Sequence, residues 1–117
     1  MPGERRDAAY LWDMLDAAQK VVEFTQGHTA KSLASDFKLR FAVERAMEII
    51  GEAARHVSDG FRLLHPEIPW RQIIGQRNIL IHEYGSIDYE RVWRVAVEDM
   101  PKLVKQLSGL VPSAPEE

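Results

Sequence analysis

The chain has 117 residues, of which 45% are hydrophobic and 28% charged, a composition typical of a folded protein and not of a disordered one. The net charge of -3 excludes a broad basic surface that could hold a long duplex, so any contact with nucleic acid must be local. The absence of cysteine excludes disulfides, zinc sites with thiolate ligands and thiol catalysis.

The length of the chain predicts a single domain. We expect residues 1–117 to form one helical domain, with its core at about residues 7–108 and a frayed tail at residues 109–117. No run approaches the roughly 18 apolar residues of a membrane span, and the first residues lack the apolar stretch of a signal peptide. We therefore expect no association with a membrane and a cytoplasmic location.

The first predicted helix begins after Asp7, a candidate N-cap, and ends before Gly27. The apolar residues of this segment recur at the spacing of one helical face, which consists of Leu11, Leu15, Ala18 and Val22. The segment that follows, residues 28–35, has the sequence HTAKSLAS and the polar composition of a loop.

The second predicted helix begins near Ser35 or Asp36 and is the longest in the chain. Its buried face is expected to carry Leu39, Val43, Ala46, Ile50, Ala53 and Val57. Another side carries charges of both signs and is interpreted as a solvated face, with the lining of a dimer cleft as the alternative: Arg45, Glu48, Glu52 and Arg55. Gly51 costs a helix about 1 kcal/mol relative to alanine, so its presence predicts that another helix crosses close to it.

Prolines and glycines divide the second half of the chain. Residues 61–69 are predicted to be a connector because Pro66 and Pro69 lack backbone donors. The next helix is expected from Trp70 to about Tyr84, with a possible break at Gly75.

The last predicted helix is capped by Asp88 and should be kinked by Pro101. No alternating runs typical of strands occur in the sequence. The predicted fold is therefore all-α, an up-and-down bundle of four to five helices.

Three polar residues interrupt the apolar pattern of the helix that begins at Trp70. Arg77 falls among apolar neighbours, and a guanidinium there requires a carboxylate, a backbone acceptor, a phosphate or an open groove. Asn78 and His82 are four residues apart and about 40° from one another around the helix, so the amide is expected to orient the imidazole.

These residue types suit metal-independent cleavage of RNA. Histidine titrates near neutral pH and can take the proton of the 2′-hydroxyl or supply one to the leaving 5′-oxygen. Arginine can bind the phosphate oxygens while negative charge builds on them. A two-fold dimer would place two arginines and two histidines around one cleft, which makes dimerisation attractive for the mechanism.

The segment from Arg77 to Tyr84, RNILIHEY, matches the R-x4-H-x-Y motif of HEPN-domain proteins of the HepT-like type. Three further segments are similar to the pattern of that family: AVERAMEIIGEAARHVS, IPWRQIIGQRN and IDYERVW. The resemblance covers roughly residues 7–108 and includes both flanks of the motif.

This resemblance implies a helical, homodimeric toxin of a toxin–antitoxin pair, which cleaves RNA in a cleft between protomers without a cofactor. Arg77 and His82 would be the catalytic pair, and Asn78 the polar residue that accompanies them. The usual partner in the family is a nucleotidyltransferase antitoxin of the MNT type, which attaches AMP to the tyrosine of the motif and silences the toxin. That tyrosine corresponds to Tyr84 in this chain.

Other interpretations remain open at this stage. Arg77 and His82 could have structural roles only, and the protein could be a dimeric, non-catalytic binding module for a nucleotidyltransferase. Glu52 and His56 have the spacing of two metal ligands, but no third ligand follows, so no metal site is expected. The three tryptophans are interpreted as core or interface anchors, because no basic residues alternate with them as in a base-stacking platform: Trp12, Trp70 and Trp93.

Overall fold

A computed structural model of the chain describes residues 2–111, apart from the side chains of residues 2–5 and 84. Seven α-helices occur in this part of the chain: α1 (Pro2–Thr25), α2 (Ala30–Ser35), α3 (Phe37–His56), α4 (Asp59–Leu64), α5 (Trp70–His82), α6 (Tyr89–Arg94) and α7 (Met100–Ser108). A 3₁₀ turn, Tyr84–Ser86, follows α5, and a π turn, Val95–Asp99, joins α6 to α7. The predicted all-α fold is confirmed, since residues 2–111 contain no strand.

The long helices pack around one another in a bundle. α1 packs on α3 and on α7, and α5 packs on α3. α1 and α3 are antiparallel, because Asp7 near the start of α1 contacts Ser58 just beyond the end of α3. Apolar side chains from all the long helices form one core, whose largest fully buried members include Met14, Leu33, Ile50, Leu80 and Leu107. None of the helices in the described part of the chain has the combined length and apolar character that a bilayer span requires.

The prediction that Asp7 caps the first helix is wrong. α1 extends back to Pro2, so Asp7 lies within the helix, where it is buried. Its carboxylate accepts hydrogen bonds from the backbone N–H of Ser58 at 2.8 Å and from the Ser58 hydroxyl at 2.6 Å. Asp7 thus fixes the segment between α3 and α4 instead of the start of its own helix.

Two segments that were predicted to lack regular structure contain short helices. In the expected loop, Thr29 caps α2 through a reciprocal pair of hydrogen bonds with Ser32, and Leu33 is buried. In the expected connector, the Ser58 hydroxyl accepts from the N–H of Phe61 and caps α4. The polar composition of the first segment reflects its capping residues and exposed face. In the second segment Pro66 and Pro69 lie beyond the end of α4 at Leu64, so they do not interrupt it.

The remaining helix boundaries agree closely with the sequence. Asp36 caps α3 and Asp88 caps α6, in both cases by accepting from two backbone N–H groups. α5 passes through Gly75 without a break and ends at His82, two residues before the expected end. Before Pro101 the helix winds as a π turn, in which the N–H of Met100 donates to the carbonyl of Val95, five residues back.

The predicted tail, residues 109–117, falls mostly outside the described residues. Only residues 109–111 are described, and of these Val111 is buried against the core. Its N–H and that of Leu110 both donate to the carbonyl of Leu107, which continues the winding of α7.

Candidate active site

The site begins at a close crossing of two helices. A Cβ atom added to Gly51 of α3 would lie 2.2 Å from Cβ and 2.9 Å from Cγ of Arg77, and 3.1 Å from the carbonyl oxygen of Ile73. Only glycine therefore fits at this position, which confirms the helix crossing that the sequence predicted. The first two carbons of the Arg77 side chain rest on the backbone of α3, so the base of this side chain is fixed by packing.

Arg77 is held by two polar partners. Its Nη2 lies 3.0 Å from Oε2 of Glu52 on α3, and its Nη1 donates to Oδ1 of Asn78 at 2.8 Å. Its Nε is buried without a hydrogen-bond partner, and 17% of the side chain is exposed. The partner that the sequence demanded for this guanidinium is thus a carboxylate, and the cation remains in contact with solvent.

The carboxylate of Glu52 contacts three basic side chains, which come from two helices. Besides Arg77 it contacts Nη1 of Arg55 at 3.5 Å and Nε2 of His56 at 3.1 Å. The hydrogen bond with His56 lowers the pKa of Glu52, and the positive charges of Arg55 and Arg77 lower it further. Glu52 is therefore ionised at neutral pH, and it neutralises Arg77 while 46% of its own side chain stays exposed.

His82 is the last residue of α5, and its side chain is exposed. It forms no hydrogen bond or ion pair with the side chains that the structure describes. The expectation that Asn78 orients this imidazole is wrong, because no hydrogen bond joins the two described side chains and the amide oxygen of Asn78 accepts from Arg77. The imidazole is therefore exposed to solvent, without a polar partner among the described side chains.

Arg77 and His82 do not share a face of α5. Five residues of an α-helix correspond to about 140° around the axis and about 7.5 Å along it. Arg77 accordingly packs against α3, whereas His82 points from the end of α5 into solvent. The backbone of Tyr84 begins the 3₁₀ turn that follows, and its side chain lies outside the described part of the structure.

The charged stripe on α3 is only partly the solvated face that the sequence indicated. Arg45 and Glu48 form an ion pair at 3.5 Å, with 72% of the Arg45 side chain exposed. Glu52 from the same stripe is the partner of Arg77, a role that the sequence analysis did not assign. Its position next to Gly51 was the available signal, since a residue adjacent to a helix crossing lies at the level of the crossing helix.

Glu52 and His56, the two residues with metal-ligand spacing, bond directly to one another. Within residues 2–111, no group of three or more histidine, aspartate or glutamate side chains is placed to hold a metal ion.

A depression with a volume of about 640 Å³ lies elsewhere, between α3, α5 and the α6–α7 segment. Its apolar floor includes Met47, Ile50 and Ile73, and its rim carries charges of both signs, including Arg91, Arg94 and Glu98. Neither Arg77 nor His82 lines it. The candidate site is therefore an open surface on another side of α5 and not this cavity.

The chain is similar to proteins from three organisms that are named as ribonucleases. The family described as "Ribonuclease HepT-like" matches residues 14–110. "Putative RNase MJ1380" of Methanocaldococcus jannaschii is 43% identical over 104 residues, which cover 88% of this chain and 95% of that protein. "Probable ribonuclease HepT" of Thermococcus cleftensis is 41% identical over 100 residues, covering 86% and 91%. "Putative RNase TTE0752" of Caldanaerobacter subterraneus is 33% identical over 102 residues, covering 87% and 91%. No solved structure matches the chain significantly.

Proposed function

Since this chain belongs to the HepT-like ribonuclease family, we propose that it is a metal-independent endoribonuclease with Arg77 and His82 as its catalytic pair. The observation that carries the proposal is the contrast within the R-x4-H motif. The arginine is anchored where it can contact a phosphate, and the histidine is exposed with no partner among the described side chains.

The reaction is attack of the ribose 2′-oxygen on the adjacent phosphorus, with cleavage of the bond between phosphorus and the 5′-oxygen. One imidazole accepts the proton of the 2′-hydroxyl, and an acid returns a proton to the leaving 5′-oxygen. The products are a strand that ends in a 2′,3′-cyclic phosphate and a strand that begins with a 5′-hydroxyl. His82 supplies the proton transfers, and the guanidinium of Arg77 stabilises the charge on the phosphate oxygens.

Glu52 keeps Arg77 in place until a phosphate arrives. The Glu52 carboxylate is exposed enough for an incoming phosphate to compete for the guanidinium. When Arg77 turns to the phosphate, Glu52 retains Arg55 and His56 as partners and is not left as an isolated charge. Asn78 holds one nitrogen of the guanidinium and limits the directions in which it can turn. In this proposal Asn78 is a positioning residue.

A second copy of the chain completes the site. Because Arg77 and His82 are about 140° apart on α5, a single protomer presents them in different directions. A two-fold dimer that brings the exposed end of α5 towards the partner would let the histidine of one protomer reach the phosphate bound by the arginine of the other. We therefore propose a homodimer with the site in the cleft between protomers.

The biological role that fits this chemistry is that of a cytoplasmic toxin whose antitoxin is an MNT-type nucleotidyltransferase. Tyr84 follows His82 by two residues in the motif, so AMP attached to its hydroxyl would add a bulky anion to the segment that carries the imidazole. The added phosphate would compete with RNA for Arg77 and thereby silence the enzyme.

The test is cleavage of RNA by the purified protein in the presence of EDTA. The wild-type protein should cleave, and the His82→Ala protein should cleave at least about 100-fold more slowly, as expected for the loss of a general acid or base. A matched control is His28→Ala, which removes another exposed histidine, just beyond α1. Equal cleavage by the wild-type and His82→Ala proteins would show that His82 is not a catalytic residue.

One observation favours a non-catalytic alternative, a dimeric binding module for the nucleotidyltransferase. Arg77 already has a carboxylate partner in its own chain, as a purely structural arginine would. This alternative expects no RNA cleavage under any condition and no dependence of activity on His82. The proposed regulation is tested separately by mass spectrometry after incubation with the nucleotidyltransferase and ATP, because modification of Tyr84 adds the mass of one AMP.

A further inference from the structure

Two aromatic side chains are exposed at the start of α3. Phe37 is 62% exposed and Phe41 is 51% exposed. They are four residues apart, and their rings lie 6.1 Å apart between centroids with 30° between their planes. Such exposure of two neighbouring phenylalanines is unfavourable in water, so it points to a surface that contacts a ligand.

The guanidinium of Arg40 packs against this aromatic pair. The central carbon of the Arg40 guanidinium lies 4.5 Å from the ring centroid of Phe37, 5.7 Å from that of Phe41 and 5.0 Å from that of Tyr89. Nη1 of Arg40 donates to the carbonyl of Ala34 at 2.8 Å, which fixes its orientation. Arginine and aromatic planes are the two kinds of surface on which nucleic-acid bases stack.

The segment that carries the rings is rich in basic residues, although the chain as a whole carries a net charge of -3. Residues 31–45 contain four basic and two acidic residues. One of the acids, Glu44, is buried, and the other, Asp36, is occupied in capping α3. Neither Lys31 nor Lys38 forms an ion pair within the described part of the chain, so both ammonium groups are available to a phosphate backbone.

The aromatic pair lies on the same side of α3 as the partner of Arg77. Phe37, Phe41 and Glu52 fall within about 60° of one another around the helix. Glu52 is eleven residues beyond Phe41, or about 16 Å along the axis. That distance corresponds to on the order of five nucleotides of a stacked strand at about 3.4 Å each.

We propose that Phe37 and Phe41, together with Arg40 and Lys38, form a stacking platform for the bases of single-stranded RNA whose scissile phosphate lies at Arg77. The proposal rests on the proposed function, since it assigns the path of the substrate to the same site. The sequence carries the signal in the segment FKLRF, in which two basic residues lie between two phenylalanines.

The observations favour RNA over a protein partner on this surface. A protein that covered the two rings would have to desolvate the neighbouring lysine and arginine, and lysine is depleted in the cores of protein interfaces. A nucleic-acid strand instead places its phosphates near those cations and its bases on the rings. Base stacking is tolerant of sequence, so the platform would add affinity without selecting particular bases.

The experiment measures the binding of a fluorescein-labelled, unstructured RNA of twelve nucleotides by fluorescence anisotropy, on the His82→Ala background so that the RNA remains intact. Replacing both phenylalanines by alanine, and separately both by leucine, should weaken binding at least about tenfold, while replacing both by tyrosine should retain it. Leucine keeps the apolar area and removes the stacking surface, so it separates base stacking from simple hydrophobic contact. The matched control is Leu63→Ala with Leu64→Ala, which removes two side chains on α4 that are 80% and 76% exposed.

Three outcomes would overturn the platform. These are leucine variants that bind RNA as well as the wild type, alanine variants with unchanged affinity, and alanine variants whose only change is a loss of dimer on size-exclusion chromatography. The last result would assign the rings to contact with a second copy.

Binding and cleavage fail independently. If the alanine and leucine variants lose RNA binding, the platform is supported. If the wild-type protein also cleaves no RNA, the nuclease proposal is contradicted at the same time. Unchanged binding in those variants, with His82-dependent cleavage in the wild type, would do the reverse.

Discussion

Arg77 and His82 are five residues apart in one helix, yet their surroundings are opposite. Arg77 is packed against the backbone of α3 at Gly51 and bonded to Glu52 and Asn78. His82 is exposed at the end of α5, with no polar partner among the described side chains. The arginine is part of what holds α5 to α3, whereas the histidine is exposed at the end of α5, outside that contact. Substitution of Arg77 should therefore affect both the stability and the proposed activity of the protein. Substitution of His82 should affect the proposed activity alone.

The largest expected effects are losses of RNA cleavage on substitution of Arg77 or His82, of which only the first should also lower stability. His82→Ala and Arg77→Ala should each lower RNA cleavage by about 10² to 10⁴-fold, because in the proposed mechanism one residue transfers protons and the other stabilises the charge on the phosphate. Only Arg77→Ala should lower the melting temperature, since it leaves a void beside Gly51 and takes a partner from Glu52. Thermal unfolding and a cleavage assay on the same preparations measure both. A loss of stability in His82→Ala equal to that in Arg77→Ala would contradict the contrast.

The next effect concerns the crossing that anchors Arg77. Gly51→Ala should destabilise the protein by about 1–3 kcal/mol, because the added Cβ would lie 2.2 Å from Cβ of Arg77. Gly75→Ala is the matched control within α5, since nothing lies within 4 Å of a Cβ there, and it should stabilise the protein by up to about 1 kcal/mol. Chemical denaturation of both variants gives the two free energies of unfolding. Equal effects at the two glycines would mean that the crossing is not tight.

A smaller effect comes from the carboxylate that holds Arg77. The hydrogen bond with His56 lowers the pKa of Glu52, with the charges of Arg55 and Arg77 adding to the shift. A lowered pKa in the folded state gives stability that is present above the ordinary glutamate pKa of about 4.3 and is lost as the pH falls through the folded value. Glu52→Gln should therefore be less stable than the wild type at pH 7, and the difference should shrink towards pH 3. Urea unfolding at the two pH values tests this; a difference that grows on acidification would reverse the sign.

Glu44 on the same helix should show the opposite dependence. Burial raises the pKa of Glu44 by more than the hydrogen bond with Tyr89 and the charge of Arg40 lower it. The folded state then holds this proton more tightly than the unfolded state, so its contribution to stability falls as the pH rises above about 4.3. Relative to the wild type, Glu44→Gln should gain stability between pH 4 and pH 8. A gain confined to the acidic end, measured by the same urea titrations, would contradict the assignment.

The sequence predicted the parts of the fold that depend on local patterns. Apolar spacing located the long helices, and Asp36 and Asp88 marked the starts of α3 and α6. Gly51 even indicated the crossing on which the site is built. Asp7 was misassigned because its partner, Ser58, is 51 residues away, and a carboxylate at the start of an apolar pattern has the same appearance whether it caps the helix or bonds elsewhere.

The sequence supplied the candidate residues of the site, whose roles stay a prediction, but not their contacts. The motif identified Arg77 and His82, and the need to satisfy a guanidinium among apolar neighbours required a partner. Which partner it would be depended on the rotation of α3 against α5, a tertiary quantity that no local pattern contains. For that reason Glu52 appeared only as one member of a charged stripe, and Asn78 was assigned to the histidine instead of the arginine.

The central claim is that each protomer of the proposed dimer supplies its anchored arginine to one site and its exposed histidine to the other. It is tested most directly by co-expressing Arg77→Gln and His82→Ala protomers with different affinity tags and purifying the mixed dimer. In that dimer one site combines both substitutions, while the other has an intact arginine from one protomer and an intact histidine from the other. The mixed dimer should recover about half of the wild-type rate of RNA cleavage, since one of two symmetric sites is whole. A mixed dimer no more active than either parent, or the absence of any dimer, would contradict the shared site.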